Sequence, residues 1–336
     1  MSGIAEVARR AGVSKSTASR ALSGRGYVSP ATQQRVQEAA NALGYVPSTN
    51  AVSLATGRTQ TIGVIVPHAN HWFFGEVLEG IQRALMERGF DLALYSAQPG
   101  SLERSHVFET YLGRSRFDGL ITVGIEPDQQ ELERIAALGK PFVSIGSYDI
   151  GNSAVSIDDA ASARIATEHL LALGHTDIVF LGGEANMAWP SFGDAHRVTG
   201  YASAMREAGL ESAIRLAPCA VSMPAGYDAA VDLLSNARTR PTAIVAVADE
   251  VAIGAIIAAR RMGISVPAQL SVVGIDDHEN AEMFALTTLR QNPREQAALA
   301  VELLEEHIDT PDAPPRRIWA PTRFVIRNST AAPADR

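Results

Sequence analysis

A single cysteine, Cys219, stands in the 336 residues of this chain. One thiol excludes a disulfide framework and a cysteine metal cluster, and a lone cysteine is more often a small half-buried hydrophobe than a nucleophile. No apolar run reaches the roughly eighteen residues that a membrane span requires, so none is expected. The opening MSGIAEVARR lacks the apolar core of a signal peptide, which leads us to expect a cytoplasmic protein. Catalytic signatures are missing too. The sequence has no G-x-G-x-x-G after a strand, no G-x-x-x-x-G-K-[ST] and no G-x-S-x-G, and no nucleophile–base pair stands out. Neither an enzyme nor a bound metal or cofactor is expected.

Positive charge is scarce beyond residue 60. Residues 1–60 carry seven Lys and Arg against two acids, a net of +5. The whole chain is −8, so residues 61–336 amount to −13. Apolar content of 46% and charged content of 20% are ordinary for a globular protein, and the length suits two or three domains. A small basic segment ahead of an acidic bulk implies two surfaces with different partners. The basic one is suited to displacing counterions from phosphates.

That segment has helix-turn-helix punctuation. Ser2 is a candidate N-cap, and Ile4, Val7, Ala8 and Ala11 form one apolar stripe. Gly12 stops the helix, Val13 plugs the turn and Ser14 caps a second helix, in which Ala18, Ala21 and Leu22 point inward. Lys15, Ser16, Thr17, Ser19 and Arg20 are left on or near the outer face. A third helix opens at Ser29-Pro30, with Val36, Ala39, Ala40 and Leu43 as its stripe, and closes at Gly44. Such a pair of helices places the second in the DNA major groove, where Lys15, Ser16 and Thr17 reach base edges and Arg20 takes a guanine or a phosphate. The competing reading is a small bundle with a solvated basic face. After Pro47, residues 48–55 have helix-compatible composition but are too few to be helical in water alone.

From Thr61 the pattern changes. Short apolar runs at 62–66, 91–95, 119–123, 142–145, 178–181, 243–247 and 271–275 alternate with amphipathic segments. One of these carries Val77, Leu78, Ile81 and Leu85 and ends at Gly89; another carries Ala166, Leu170 and Leu173 and ends at Gly174. This alternation predicts parallel sheets covered by helices, an α/β core too large for one sheet and so split into two lobes. Ligands of such sheets bind beyond the carboxyl ends of the strands.

The residues following the strands are therefore candidates for a site. Trp72, Phe73 and Phe74 follow the first run; Phe73 is better read as core, while Trp72 is able to stack on a sugar ring. His68 and His71 are read as solvated loop histidines, and no third ligand for a metal is near them. Ser147-Tyr148-Asp149 is either a polar contact or a surface turn. A long loop is expected at 182–197, with Trp189, Ser191 and Phe192 as weaker candidates and Arg197 at its end. Its fork suits two hydroxyls or a carboxylate, and the alternative is a rim salt bridge to Asp194 or Glu184. Asp276-Asp277 follow the run at 271–275; helix N-capping is the plain role for such a pair, and we give it to Asp277.

The stretch IAEVARRAGVSKSTASRALSGRGYV (4–28) resembles the headpiece of the LacI-type bacterial repressors, and VPSTNAVSLATGRTQTIG (46–63) resembles that family's hinge and entry to its core. SVVGIDD (271–277), LTTLRQN (286–292) and VIRNST (325–330) continue the resemblance across essentially the whole chain. The resemblance implies an all-α helix-turn-helix headpiece (1–46), a hinge (47–60) and a two-lobed core like that of periplasmic binding proteins. One lobe would take 60–158 and 292–321, the other 159–291 and 322–336.

It also implies that Ala51 and Leu54 lie in the DNA minor groove, Leu54 as the wedge. Trp72, Phe74, Asp149, Ser191, Arg197 and Asp276 would then hold an effector. The chain departs from the family at four places: Asn50 and Val52 in the hinge, Trp72 where Pro is common, and Ala248 where Asn often touches effector. The implied function is a dimeric repressor of sugar-uptake or catabolism genes. It would bind a pseudo-palindromic double-stranded operator, at the nucleoid when bound, and be released by a sugar-like effector. The closing STAAPADR reads as a frayed end, so a dimer is favoured over a tail-linked tetramer. A purine or other metabolite acting as corepressor is the alternative, as is a transport-type sugar-binding protein with no DNA role, which the basic headpiece disfavours.

Overall fold

The structure, a computed structural model, describes residues 3–23, 27–45, 57–114, 116–146, 152–183 and 192–334. Ala51, Leu54, Asp149, Trp189 and Ser191 lie outside the described residues, as does most of the expected hinge. The chain divides into two compact units, residues 1–61 with 116–118, and the remainder.

In the first unit, α1 (Ile4–Ala11), α2 (Lys15–Ser23) and α3 (Pro30–Ala42) enclose a small core of Val7, Ala8, Ala11, Ala18, Ala21, Val36, Ala39 and Ala40. The expected punctuation is present. Gly12 closes α1 with φ of 67°, which glycine alone adopts at little cost. The Thr17 amide donates to Ser14 Oγ at 3.1 Å, and Ser29 caps α3 by accepting from Thr32 N. The start of α1 differs from expectation. Its N-cap is Gly3 rather than Ser2, and no side chain caps it, because the first turn is closed by Glu6 N and Val7 N donating to Gly3 O. In the same unit the Asp118 carboxylate accepts from Thr59 N at 2.7 Å and Gln60 N at 2.8 Å.

The second unit holds two six-stranded sheets. The first lobe runs β1 (Thr61–Val66), α4 (Trp72–Glu87), β2 (Asp91–Ser96), α5 (Leu102–His106), β3 (Gly119–Val123), α6 (Gln129–Ala137), β4 (Phe142–Ile145) and β5 (Ser153–Ser156). The second runs α7 (Asp159–Ala172), β6 (Ile178–Leu181), α8 (Phe192–Glu207), β7 (Arg215–Ala217), α9 (Met223–Ser235), β8 (Ala243–Ala246), α10 (Asp249–Arg261), β9 (Ser271–Asp276) and β10 (Thr287–Arg290). The chain then returns: α11 (Pro293–Asp309) packs on α4 and β3–β5, β11 (Arg317–Trp319) joins the first sheet beside β5, and β12 (Arg323–Val325) joins the second beside β10. The strand orders are β11-β5-β4-β3-β1-β2 and β12-β10-β9-β8-β6-β7. β1–β3, β3–β4, β4–β5, β5–β11, β6–β7, β6–β8, β8–β9 and β9–β10 pair in parallel, while β10 and β12 are antiparallel, with Thr288 facing Val325.

The central strands β6 and β8 are buried along their whole length, as continuous apolar runs covered on both faces should be, and so is β3 with its Thr122. The expected α/β class and the two sheets with an all-α headpiece are what the structure has. Five strands were not read from the sequence: β5, β7, β10, β11 and β12 are each three or four residues long, and most carry polar side chains. Arg197 was expected on a loop but lies in α8, which starts at Phe192.

Candidate functional site

The carboxyl ends of both sheets face one cavity of about 750 Å3. Its wall is made of the first residues after the strands: Pro67 and His68 after β1, Gln98 after β2, Gly124 after β3, Ala248 after β8 and Gln291 after β10. This is where open α/β sheets bind ligands, because backbone groups and helix starts converge there.

Arg197, on the second turn of α8, sits in the wall with its side chain 11% exposed. Its Nε donates to Asp159 Oδ1 at 2.8 Å and its Nη1 to the Val247 carbonyl at 2.6 Å, while Nη2 stands 4.0 Å from Asp276 Oδ1. Burial opposes the charge, but the carboxylates of Asp159, Asp276 and Asp194 outweigh it and raise the arginine's pKa. Its ion pair is with Asp159, at the first turn of α7, and Glu184 lies outside the described residues. The guanidinium therefore ties α7, α8 and the end of β8 together, leaving Nη2 toward Asp276.

Asp276 closes β9 with φ of 127°, a backbone that L-residues rarely adopt. Gln296 Nε2 donates to Gln291 Oε1 at 2.9 Å, and Gln291 Nε2 donates in turn to Asp276 Oδ1. Burial pushes the Asp276 carboxyl up to about 6, against the pull of Arg197 and Gln291. Asp277 is no helix cap, since turns and no helix follow it; its carboxylate accepts from Arg290 Nε and from Arg327 Nη2 at 2.7 Å.

At the start of α10, Ala248 caps with no side chain, and two acids follow. Asp249 is fully buried and braces the loops around it, accepting from Thr288 Oγ1 at 2.7 Å and His278 N at 2.8 Å. Burial, then Asp276, pushes its carboxyl up to about 8. Glu250 lines the cavity and is pushed up to about 7 by burial and by Asp276.

On the first-lobe wall, Phe73 and Phe74 meet edge to face at 5.5 Å. Phe74 needs Gly124 opposite, where a Cβ would come within 2.8 Å of its ring. Trp72 is not among the lining residues; its ring tilts against His278 at 4.9 Å. His68 and His71 do line the cavity, stacked at 4.5 Å, and burial lowers the pKa of both. They are part of the wall rather than solvated loop residues. Asp159, Gln291 and Glu250 were missed in the sequence. Gln291 lay inside the LTTLRQN stretch, but nothing in its residue type marked it as the holder of Asp276.

In the first unit, Lys15, Ser16, Ser19 and Arg20 are exposed on α2, while Thr17 is half-buried with its hydroxyl 2.8 Å from Ser14 Oγ. Arg20 Nε reaches Ser16 O at 3.4 Å, which lays its guanidinium along the helix toward the same residues.

Comparison with known proteins agrees with both units. Residues 3–48 match the family model for bacterial regulatory proteins of the lacI family, and residues 167–330 match a periplasmic binding protein-like domain. The HTH-type transcriptional regulator DegA of Bacillus subtilis is 33% identical over 98% of both chains. This chain belongs to the lacI family. Its fold follows the lac repressor dimer solved with operator and the anti-inducer ONPF, at a TM-score of 0.86 and 25% identity over 98% of this chain and 99% of that one. The CelR–cellobiose complex matches with a TM-score of 0.70 and 27% identity over 98% of this chain and all of that one. As a lacI-family member the protein is a ligand-responsive, DNA-binding transcriptional repressor and not an enzyme. Among the described residues no helix is long and apolar enough to cross a membrane.

Proposed function

We infer that the protein is a dimeric, cytoplasmic repressor whose α2 helices read the two half-sites of a pseudo-palindromic operator, and whose effector is a sugar-like polyol bound between the two core lobes. The observation that carries the effector reading is Arg197 beside Asp276 at the mouth of the strand ends. One guanidinium edge and one carboxylate edge, 4.0 Å apart, suit the adjacent donor and acceptor roles of a pair of vicinal hydroxyls. The similarity to a cellobiose-bound regulator supports the same class. Phe74, with its ring in the cavity wall, supplies the apolar surface for a sugar face. Asp149 and Ser191, outside the described residues, are further contacts under this proposal. Trp72 would act from behind the wall through His278 rather than by stacking.

On the DNA side, Lys15, Ser16, Thr17 and Ser19 would meet base edges, and Arg20 a guanine or a phosphate. Ala51 and Leu54 would enter the minor groove, Leu54 as a wedge that kinks the duplex. Effector binding would favour one arrangement of the lobes and thereby loosen the hinges from operator, a coupling that must run in both directions.

A planar heterocycle such as a nucleobase is the second reading, favoured by the paired aromatics Phe73 and Phe74. Thermal melting against sugars, sugar derivatives and nucleobases separates the two, because a ligand specific to the folded state raises the melting temperature by mass action. A hit confined to nucleobases overturns the sugar assignment. A sugar hit that leaves operator affinity unchanged overturns the inducer role.

A further inference from the structure

We propose that Glu250 is a specificity-determining residue of the effector cavity and that the cavity selects an amino-bearing polyol, such as a sugar with a free amine, over its neutral and phosphorylated counterparts. This rests on the reading that the effector occupies the cavity, and it goes further by naming the charge of the ligand.

The argument begins with which charges in the wall are already matched. Two guanidiniums line the cavity among the described residues, and both are committed to the protein. Arg104 donates to both oxygens of Glu131, at 2.8 Å and 2.7 Å, and to the Glu126 carbonyl at 2.6 Å. Arg197 is held by Asp159 and the Val247 carbonyl and leans on Asp276. His68 and His71 stay neutral near pH 7, since burial lowers both, and each in charging would repel the other across a 4.5 Å stack. The stretches 147–151 and 184–191 contain no Lys or Arg at all. An incoming phosphate or carboxylate thus meets no uncommitted cation.

The carboxylates are not matched in the same way. Asp159 has Arg197, and Asp276 has Gln291 and the more distant Arg197 edge. Glu250 lines the same cavity, half-buried at the second position of α10, and among the described residues it makes neither a hydrogen bond nor an ion pair. Its electrostatic neighbour is another acid, Asp276, and the two together raise the cost of holding charge there. The start of α10 offers partial compensation to a carboxylate, but less than a counter-ion would. A half-desolvated acid with a like charge beside it is stabilised by a cation, and an ammonium group on a ligand whose hydroxyls engage Arg197 and Asp276 supplies one. Ala248 next to it opens the room, because its methyl group caps nothing.

The test uses the full-length protein at pH 7, where the amino sugars carry their ammonium charge and a bound ammonium favours the ionised form of Glu250. Calorimetric affinities are measured for glucose, galactose and mannose, each as the free sugar, the 2-amino and 6-amino deoxy forms, and the 6-phosphate. At least one amino form should bind about tenfold or more tightly than its parent sugar, and no phosphate should bind better than its parent. Glu250→Gln should remove that preference, bringing each amino form to within about threefold of its parent sugar measured on the same variant. A result in which every parent sugar binds as well as its amino forms, or any phosphate binds better than its parent, overturns the proposal. So does an amine preference that survives Glu250→Gln, or the absence of binding by every amino form. Asp276→Asn tells the two readings apart. If it abolishes binding of a parent sugar, the cavity remains the effector site and only the amine preference falls. If binding is untouched by it, the effector lies elsewhere and both readings fall together.

Discussion

Arg197 Nη2 and Asp276 Oδ1 stand 4.0 Å apart across the cavity wall, closer than solvent-separated charges but beyond a direct hydrogen bond. Each is fixed from behind, Arg197 by Asp159 and Asp276 by Gln291, so the gap is held open for a third group. Asp276→Ala should weaken effector binding by about 2–3 kcal/mol, the size of a hydrogen bond to a charged group. Operator binding without effector should be unchanged. The readout is the effector-induced rise in melting temperature alongside operator affinity. A normal rise in the variant would remove Asp276 from the site.

Gln291 is the subtler partner. Its amide holds Asp276 Oδ1 and is itself held by Gln296, so Gln291→Leu frees the carboxylate and leaves Gln296 Nε2 without its acceptor. Effector affinity should fall by roughly tenfold through loss of orientation, with the fold intact. An affinity equal to wild type would make the Gln291 bond a purely structural one.

The fold was largely legible because its signals are repetitive. β3, β4 and β6 are short, mainly apolar runs flanked by Gly or polar turns, and their bounds follow from the sequence alone. The strands that escaped, such as β7 (RLA) and β11 (RIW), sit at sheet edges, where one face is wet and three residues make no pattern. The site was legible only where a family motif carries it. Asp276 stands in such a motif, SVVGIDD, and Arg197 is a residue to which the resemblance assigns effector contact. Asp159 and Glu250 have neither, since their roles arise from helix starts that the two sheets bring to one cavity across nearly a hundred residues of sequence. Asp277 was misassigned for a related reason. An Asp after a strand looks like an N-cap, but here two arginines, Arg290 and Arg327, take its oxygens and no helix follows.

The acids at the start of α10 predict a pH dependence of stability. Asp249 and Glu250 are raised to about 8 and about 7 in the folded protein, so between the ordinary carboxylate range and those values the folded state holds protons that the unfolded state has lost. Stability is then greatest on the acid side of this window and falls as pH rises through it. The buried histidines, His175 and His278 among them, have lowered values and act oppositely, but only below their ordinary 6.5. From pH 7 to 8 the carboxylates decide the sign. Melting temperature should decline over that interval, by on the order of 1 kcal/mol of stability per pH unit. Asp249→Asn should flatten the decline. A wild-type melting temperature that rises over the interval would contradict these raised values.

Gly200 in α8 packs against α7 so closely that a Cβ there would lie 2.0 Å from the Ala160 carbonyl oxygen. Backbone offers no rotamer escape, so Gly200→Ala must push the two helices apart, at about 3 kcal/mol. Asp159 and Arg197 lie on those helices, and their 2.8 Å contact should lengthen with them. The variant should melt roughly 5–10 °C lower and bind effector more weakly. Gly75→Ala, in α4, is the control: nothing lies within 4 Å of its added Cβ, and helix propensity alone should leave stability equal or slightly higher. Equal melting of both variants would mean that α7 and α8 are less tightly fitted than the structure has them.

Arg20 is exposed on α2, with Nε within 3.4 Å of the Ser16 carbonyl, and so projects over the helix's outer face beside Lys15, Ser16 and Ser19. If it reads a guanine, Arg20→Ala should weaken operator binding by about 1–3 kcal/mol and relax discrimination at one base-pair position, while affinity for random DNA barely changes. If it holds a phosphate, the loss should be equal on operator and random DNA, and the slope of log affinity against log salt should drop by about one. Binding measured on both DNAs over a series of salt concentrations distinguishes the two. Unchanged affinity on both would take Arg20 out of the DNA-binding face, and with it the assignment of α2 as the recognition helix.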